Sequence, residues 1–203
     1  MRPYAGKTAD QRRTARRARF IATGRRLFGA RGFHATSMRA VLRESGLQAR
    51  YFSESFTDME DLLAAVHQQI DAELLLQLHD PLDLEADPAE QIRQMYRNLV
   101  RELENDPGAG RIKFIEAAGV SPRIDAIRHA DSRVYVAAAY VRLPEPPAGS
   151  ALSRSVFAQV FVSAANGMFV DWANGSLQMT GDELIEHCTM LFQALESKLG
   201  NPE

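Results

Sequence analysis

The chain has 203 residues, of which 45% are apolar and 25% charged, and its formal net charge is −2. These values suit one or two ordinary globular domains. No apolar run approaches the ~18–20 residues of a membrane span, and no apolar stretch follows the basic N-terminus as in a secretory signal. The single cysteine, Cys188, excludes an intrachain disulfide and fits a reducing, cytoplasmic setting with no membrane partner.

The near-neutral total hides an asymmetry. Residues 1–60 carry 12 Arg and 1 Lys against 5 Asp/Glu, a net of +8, whereas residues 61–203 carry 11 Lys/Arg against 21 Asp/Glu, a net of −10. A basic head on an acidic body points to a head that meets a polyanion.

In chain order, Phe20, Ile21, Gly24, Leu27 and Phe28 recur at helical spacing and give a first helix a core stripe. Its outer faces carry Arg12, Arg13, Arg16, Arg17, Arg19, Arg25 and Arg26, and Gly32 ends it. Thr36 and Ser37 are candidate N-caps of a second helix that buries Met38, Val41 and Leu42 and runs to Ser45. Gly46 supplies a tight turn. A short third helix follows, with Leu47, Tyr51 and Phe52 able to face the core and Gln48, Ala49, Arg50, Ser53 and Glu54 pointing out. Phe56 closes this small core, and Asp58 caps a fourth helix running to about His79.

Two short helices joined through a glycine turn, the second with outward polar side chains, fit a helix that enters the DNA major groove. In that role Arg12, Arg13, Arg16 and Arg17 meet phosphates and supply salt-dependent affinity. Thr36, Ser37 and Arg39, at a helix N-terminus, suit a phosphate. Gln48 and Arg50 are the best base readers, through bidentate contacts to adenine and guanine, with Ala49, Tyr51 and Ser53 beside them. The same pattern also describes a three-helix core with a solvated basic face.

The remainder reads as helices at about 88–105, 109–118, 122–142, 151–176 and 181–199, giving an all-α protein. The segment Val156–Val170 is apolar on nearly all sides and must be covered on two faces. Ser163, Ala164 and Gly167 permit close helix approach there, so it is either a buried central helix or one face of a dimer. The last helix is amphipathic through Leu184, Ile185, Cys188, Leu191, Phe192, Leu195 and Leu199.

The string Leu27-Phe28-Gly29-Ala30-Arg31-Gly32-Phe33-His34-Ala35-Thr36-Ser37-Met38, then Ser45-Gly46-Leu47, Phe52, Phe56, Glu60 and Leu62, resembles the N-terminal domain of the tetracycline-repressor (TetR) family over about 45 residues. Two positions depart from the family pattern: Ser53 stands where a Tyr is common, and Met59 where a phosphate-binding Lys is common. Both shift weight onto the N-terminal arginines. Tyr51, at a position commonly Thr, is then a candidate to face DNA.

The resemblance implies a flexible basic arm over 1–12, a three-helix helix-turn-helix DNA-binding domain over 13–60, and a larger helical ligand-binding and dimerisation domain over 61–203, about nine helices in all. It further implies a homodimeric repressor that binds a pseudo-palindromic operator on double-stranded DNA and is released by a largely apolar small-molecule effector. Candidate pocket residues are Met95, Tyr96, Leu99, Phe114, Tyr140, Phe169 and Trp172, residue types that more often simply fill an ordinary core. Asn166 and Asp171 are polar groups able to orient a ligand. Candidate dimer residues are Val156, Val160, Ser163, Ala164, Gly167, Leu184, Cys188, Leu191 and Leu195. Phosphate-binding loop, nucleophile elbow and zinc-ligand spacing are all missing, so no enzyme, cofactor or metal is expected. The alternatives are a DNA-binding regulator without a small-molecule ligand, and a helical protein-interaction module.

Overall fold

The fold was obtained as a computed structural model that describes residues 8–78 and 82–200. The described residues form helices joined by short loops, with no strand among them. The helices are α1 (Ala9–Arg31), α2 (Met38–Ser45), α3 (Ala49–Ser53), α4 (Met59–Leu78), α5 (Pro88–Asn105), α6 (Pro107–Arg111), α7 (Pro122–Tyr140), α8 (Arg154–Ala173) and α9 (Gly181–Gly200). A π-helical turn, Ile112–Glu116, continues α6.

Helix starts follow local chemistry. Asp87-Pro88, Asp106-Pro107 and Ser121-Pro122 open α5, α6 and α7: in each, the first side chain accepts a hydrogen bond from a first-turn N–H, and proline occupies the position that needs no donor. Asp106 ends α5 and caps α6 at once, so the segment expected as one helix from 109 is a short α-helix from 107 followed by the π turn. The expected flexible arm over 1–12 is also corrected. Thr8 and Gln11 form a reciprocal capping box, at 3.2 and 2.8 Å, that starts α1 at Ala9 and makes Arg12 helical. Residues 1–7, and His79 at the expected end of α4, lie outside the described residues.

The N-terminal core is aromatic. Phe20 meets Phe52 edge-on with centroids 5.3 Å apart, Phe52 lies 5.4 Å from Phe56, and Phe28 lies 5.4 Å from Phe33. Val41 and Leu62 complete it, whereas Met38, expected inside, is exposed. α1 also packs on α6, where the Gly29 and Gly108 backbones approach so closely that a Cβ on Gly29 would lie 2.9 Å from Gly108 Cα. A charged strap reinforces this junction: Arg25 bonds both Glu73 of α4 and Asp106.

In the C-terminal part, α5 and α9 pack intimately, α8 lies between α7 and α9, and α4 runs from the N-terminal core into this bundle. α8 is long and apolar enough, by length and composition, to cross a membrane, contrary to the expectation that no segment is. It is nevertheless a packed helix, burying Ala158, Phe161, Ala165 and Phe169 against its neighbours. Only 22% of its apolar stretch is buried within the chain, however.

Candidate functional site

The helix-turn-helix is built from local signals. The Ser37 hydroxyl accepts the Ala40 N–H and caps α2. Gly46 ends α2 at φ +65°, a left-handed geometry that glycine adopts without steric cost and that turns the chain sharply into α3. The buried ring of Phe52 then pins α3 on α1, which leaves Gln48, Ala49, Arg50 and Ser53 exposed as expected. Ser37 and Arg39 are exposed on the adjoining turn of α2. Thr36 is not: it is buried, and its hydroxyl donates to Gly32 O at 2.7 Å. Its side chain is therefore committed to closing the α1–α2 loop rather than to reaching a phosphate.

The N-terminal arginines fold back on α3. Arg13 donates to the Glu54 carbonyl at 3.1 Å, and Arg16 pairs with the Glu54 carboxylate at 3.0 Å. The Arg16 guanidinium also lies 4.2 Å from the Tyr51 ring centroid, and Arg17 lies 4.6 Å from that of Phe56. Tyr51 is half-buried under Arg16, and its hydroxyl accepts from Arg50 at 2.8 Å. These arginines thus buttress the short third helix as well as charging its flank. Glu44, the other carboxylate nearby, is held by Arg26 and Arg43, which push its pKa below the usual range.

A cavity of about 80 Å³ lies between α4, α5, the π turn, α7 and α8. Of the expected pocket residues, Tyr96, Leu99, Phe114 and Phe169 line it. Phe169 is stacked between Tyr96 and Phe114, at 5.7 and 5.5 Å. Met95 lines a smaller adjoining cavity that shares Tyr96, Leu99, Tyr135 and Val162, and Trp172 lines a separate cleft with Leu103 and Pro107. Tyr140 lines none of these; it is exposed beneath the Arg154 guanidinium, 4.3 Å from its ring centroid, while its neighbour Ala139 is the residue turned inward. Asn166 is at the cavity wall, whereas Asp171 is exposed elsewhere on α8.

The polar side of this cavity escaped sequence reasoning. His67, Lys113, Arg128, Ser132 and Tyr135 line it. Lys113 is paired with buried Asp71, whose carboxylate also accepts the Tyr135 hydroxyl at 3.0 Å. His67 Nδ1 faces Asp131 Oδ2 at 3.3 Å. Burial, aided by the fields of Lys113 and Arg128, holds the His67 pKa down at about 4, so the ring is neutral at pH 7. Burial also raises the Asp131 carboxyl and pushes the Tyr135 hydroxyl far above its usual range. A signal existed: His67 and Asp71 sit four residues apart on the apolar face of α4, where polar residues are rare unless partnered.

The expected dimer residues divide. Val156, Val160, Ser163, Ala164 and Gly167 form an exposed stripe along α8, and Leu191 and Leu195 of α9 are half-buried. Leu184 and Cys188 are corrected: both are fully buried inside the chain, facing α5 and α8, and present no surface. Burial pushes the Cys188 thiol up to about 12.

Residues 20–66 match the family model described as bacterial regulatory proteins, tetR family. No curated protein sequence matches the chain. Among solved structures, a putative TetR-family transcriptional regulator from Syntrophomonas wolfei superposes with a TM-score of 0.73 at 18% identity, over 94% of this chain and 99% of that one. A transcriptional regulator FadR from Bacillus subtilis, in complex with stearoyl-CoA, gives 0.70 at 12% identity over 89% and 97%. A multidrug binding protein EbrR complexed with imidazole gives 0.67 at 19% identity over 87% and 94%. At such identities the likeness carries the fold alone. Residues 20–66 thus belong to the tetR family of bacterial regulatory proteins, on a chain with the fold of TetR-family transcriptional regulators.

Proposed function

We propose that the chain is a ligand-responsive DNA-binding transcriptional repressor. Two copies bind a pseudo-palindromic operator, and a small molecule in the α4–α8 cavity releases them. The observation that carries this reading is the exposed set Ser37, Arg39, Gln48, Ala49, Arg50 and Ser53 on adjoining turns of α2 and α3, none of them bonded to a carboxylate among the described residues. Arg50 and Gln48 suit base edges, and Ser37 and Arg39 suit the phosphates that set register. Arg12 and Arg13 extend the positive flank.

The homodimer is supported by the α8 stripe. Val156 and Val160 are 56% and 48% exposed, and the space above Gly167 is open. A two-fold pairing of such helices buries the stripe, and a dimer reading successive major grooves needs its two α3 helices about 34–36 Å apart, one turn of B-DNA.

Two links join cavity to reading head. α4 carries His67 and Asp71 at the cavity and Leu62 in the N-terminal core. The π turn carries Lys113 and Phe114 at the cavity wall, and three residues beyond Lys113 the Glu116 carboxylate accepts the Phe33 N–H at 2.7 Å. A ligand pressing on Lys113 and Phe114 moves Glu116 and, with it, the α1–α2 loop. Its effect is limited to its differential affinity for the two arrangements.

The test is duplex binding followed by anisotropy across salt. A regulator of this kind loses affinity steeply between ~50 and 200 mM salt, yet keeps specific binding at least ~10³-fold tighter than non-specific. A helical interaction module shows no sequence preference at any salt, which would reject the reading.

A further inference from the structure

We infer that the α4–α8 cavity takes an amphipathic monoanion, a carboxylate carried on an aromatic or short acyl body. The inference rests on the cavity being the effector site. One wall, Tyr96, Leu99, Phe114 and Phe169, is apolar and largely aromatic. The facing wall carries two cations, Lys113 and Arg128, with Ser132 beside them, and no carboxylate reaches the lining.

The partners behind this wall decide which donors remain for a ligand. Asp71 neutralises Lys113 and also takes the Tyr135 hydroxyl, so it has no capacity for a cationic guest. Asp131 is turned to His67, and Asp125 touches Arg128 only at 3.4 Å, three residues along the same helix. Arg128 therefore retains most of its five donors, and Lys113 retains two of its three. The lining thus presents two cations with unused donors, Lys113 and Arg128, while the carboxylates near them, Asp71, Asp125 and Asp131, all lie outside it. The depressed pKa of His67 is chiefly an effect of burial, to which Lys113 and Arg128 add and which Asp71 opposes. The adjoining cavity behind Tyr96 and Leu99, walled by Ile92, Met95 and Phe161, gives the apolar body room to extend.

Benzoate and hexanoate, their amides, and benzylamine and hexylamine are to be compared at equal concentration by thermal melting of the full chain. Selective stabilisation by at least one carboxylate, with its matched amide and amine inert, is the expected result. Arg128→Gln should then weaken that carboxylate's binding about tenfold or more, and Ser132→Ala less, by calorimetric titration. Stabilisation by an amine equal to that by its carboxylate, or by no carboxylate at all, overturns the inference. So does carboxylate binding that survives both substitutions unchanged. If a carboxylate binds as expected yet leaves DNA affinity unaltered, the cavity assignment stands and the proposed release mechanism is the one rejected.

Discussion

Glu116→Ala tests the link between cavity and reading head. The Glu116 carboxylate, with a side chain only 11% exposed, accepts the Phe33 N–H at 2.7 Å and Arg111 Nε at 2.8 Å. The first is a charge-assisted bond to a buried backbone donor, worth roughly 1.5–3 kcal/mol. The second, half-exposed on the arginine side, adds about 0.5 kcal/mol after solvent screening. Removing both should cost about 2–3.5 kcal/mol, a fall in melting temperature of roughly 4–14 °C for a chain of this size. Glu116→Gln keeps an acceptor for Phe33 and should lose about half as much. The assay pairs thermal melting with DNA affinity measured with and without a cavity-binding carboxylate. The ratio of the two affinities should collapse toward one in Glu116→Ala while carboxylate binding persists. A variant that melts with the wild type and keeps its full ratio would refute the relay through the π turn.

Four further outcomes follow from the same geometry. Arg50→Ala should relax discrimination at one base pair by about 1–3 kcal/mol, read from competition among single-base operator variants. Val160→Glu, which puts a charge in the exposed α8 stripe, should yield monomers by analytical ultracentrifugation without lowering the melting temperature of the protomer. Lys113→Met leaves Asp71 buried with only Tyr135 and should cost about 3–5 kcal/mol, much of it restored by adding Asp71→Asn. His67, held at about 4 against 6.5 in the unfolded chain, contributes stability that is whole above pH 6.5. That contribution falls as pH drops toward 4, by about 1.4 kcal/mol per unit. His67→Gln should flatten the slope, whereas Asp131, raised rather than lowered, works in the opposite direction.

The reading head was legible because its signals are local. Ser37 and Gly46 punctuate α2, and the phenylalanines at 20, 28, 52 and 56 repeat at spacings only a helix can bury together. What chain order concealed was partnership across distance. Glu54 and the arginines that hold it are 38 and 41 residues apart, and Asp71 lies 42 and 64 residues from Lys113 and Tyr135. No periodicity reports which charge meets which. Hence the sequence shows Arg13, Arg16 and Arg17 only as phosphate contacts, and the cavity as largely apolar with Asn166 and Asp171 as its polar groups. Leu184 and Cys188 were assigned outward because an amphipathic stripe announces a buried face without saying whether the cover is the same chain or its partner.

Selection of bound duplexes from random-sequence DNA tests the central claim most directly. The account predicts an enriched pseudo-palindrome with half-sites centred about one helical turn apart, recovered by the full-length chain and degraded at one symmetric position by Arg50→Ala. Recovery of no consensus, or of an asymmetric single site, would contradict a two-fold dimer reading DNA through α3.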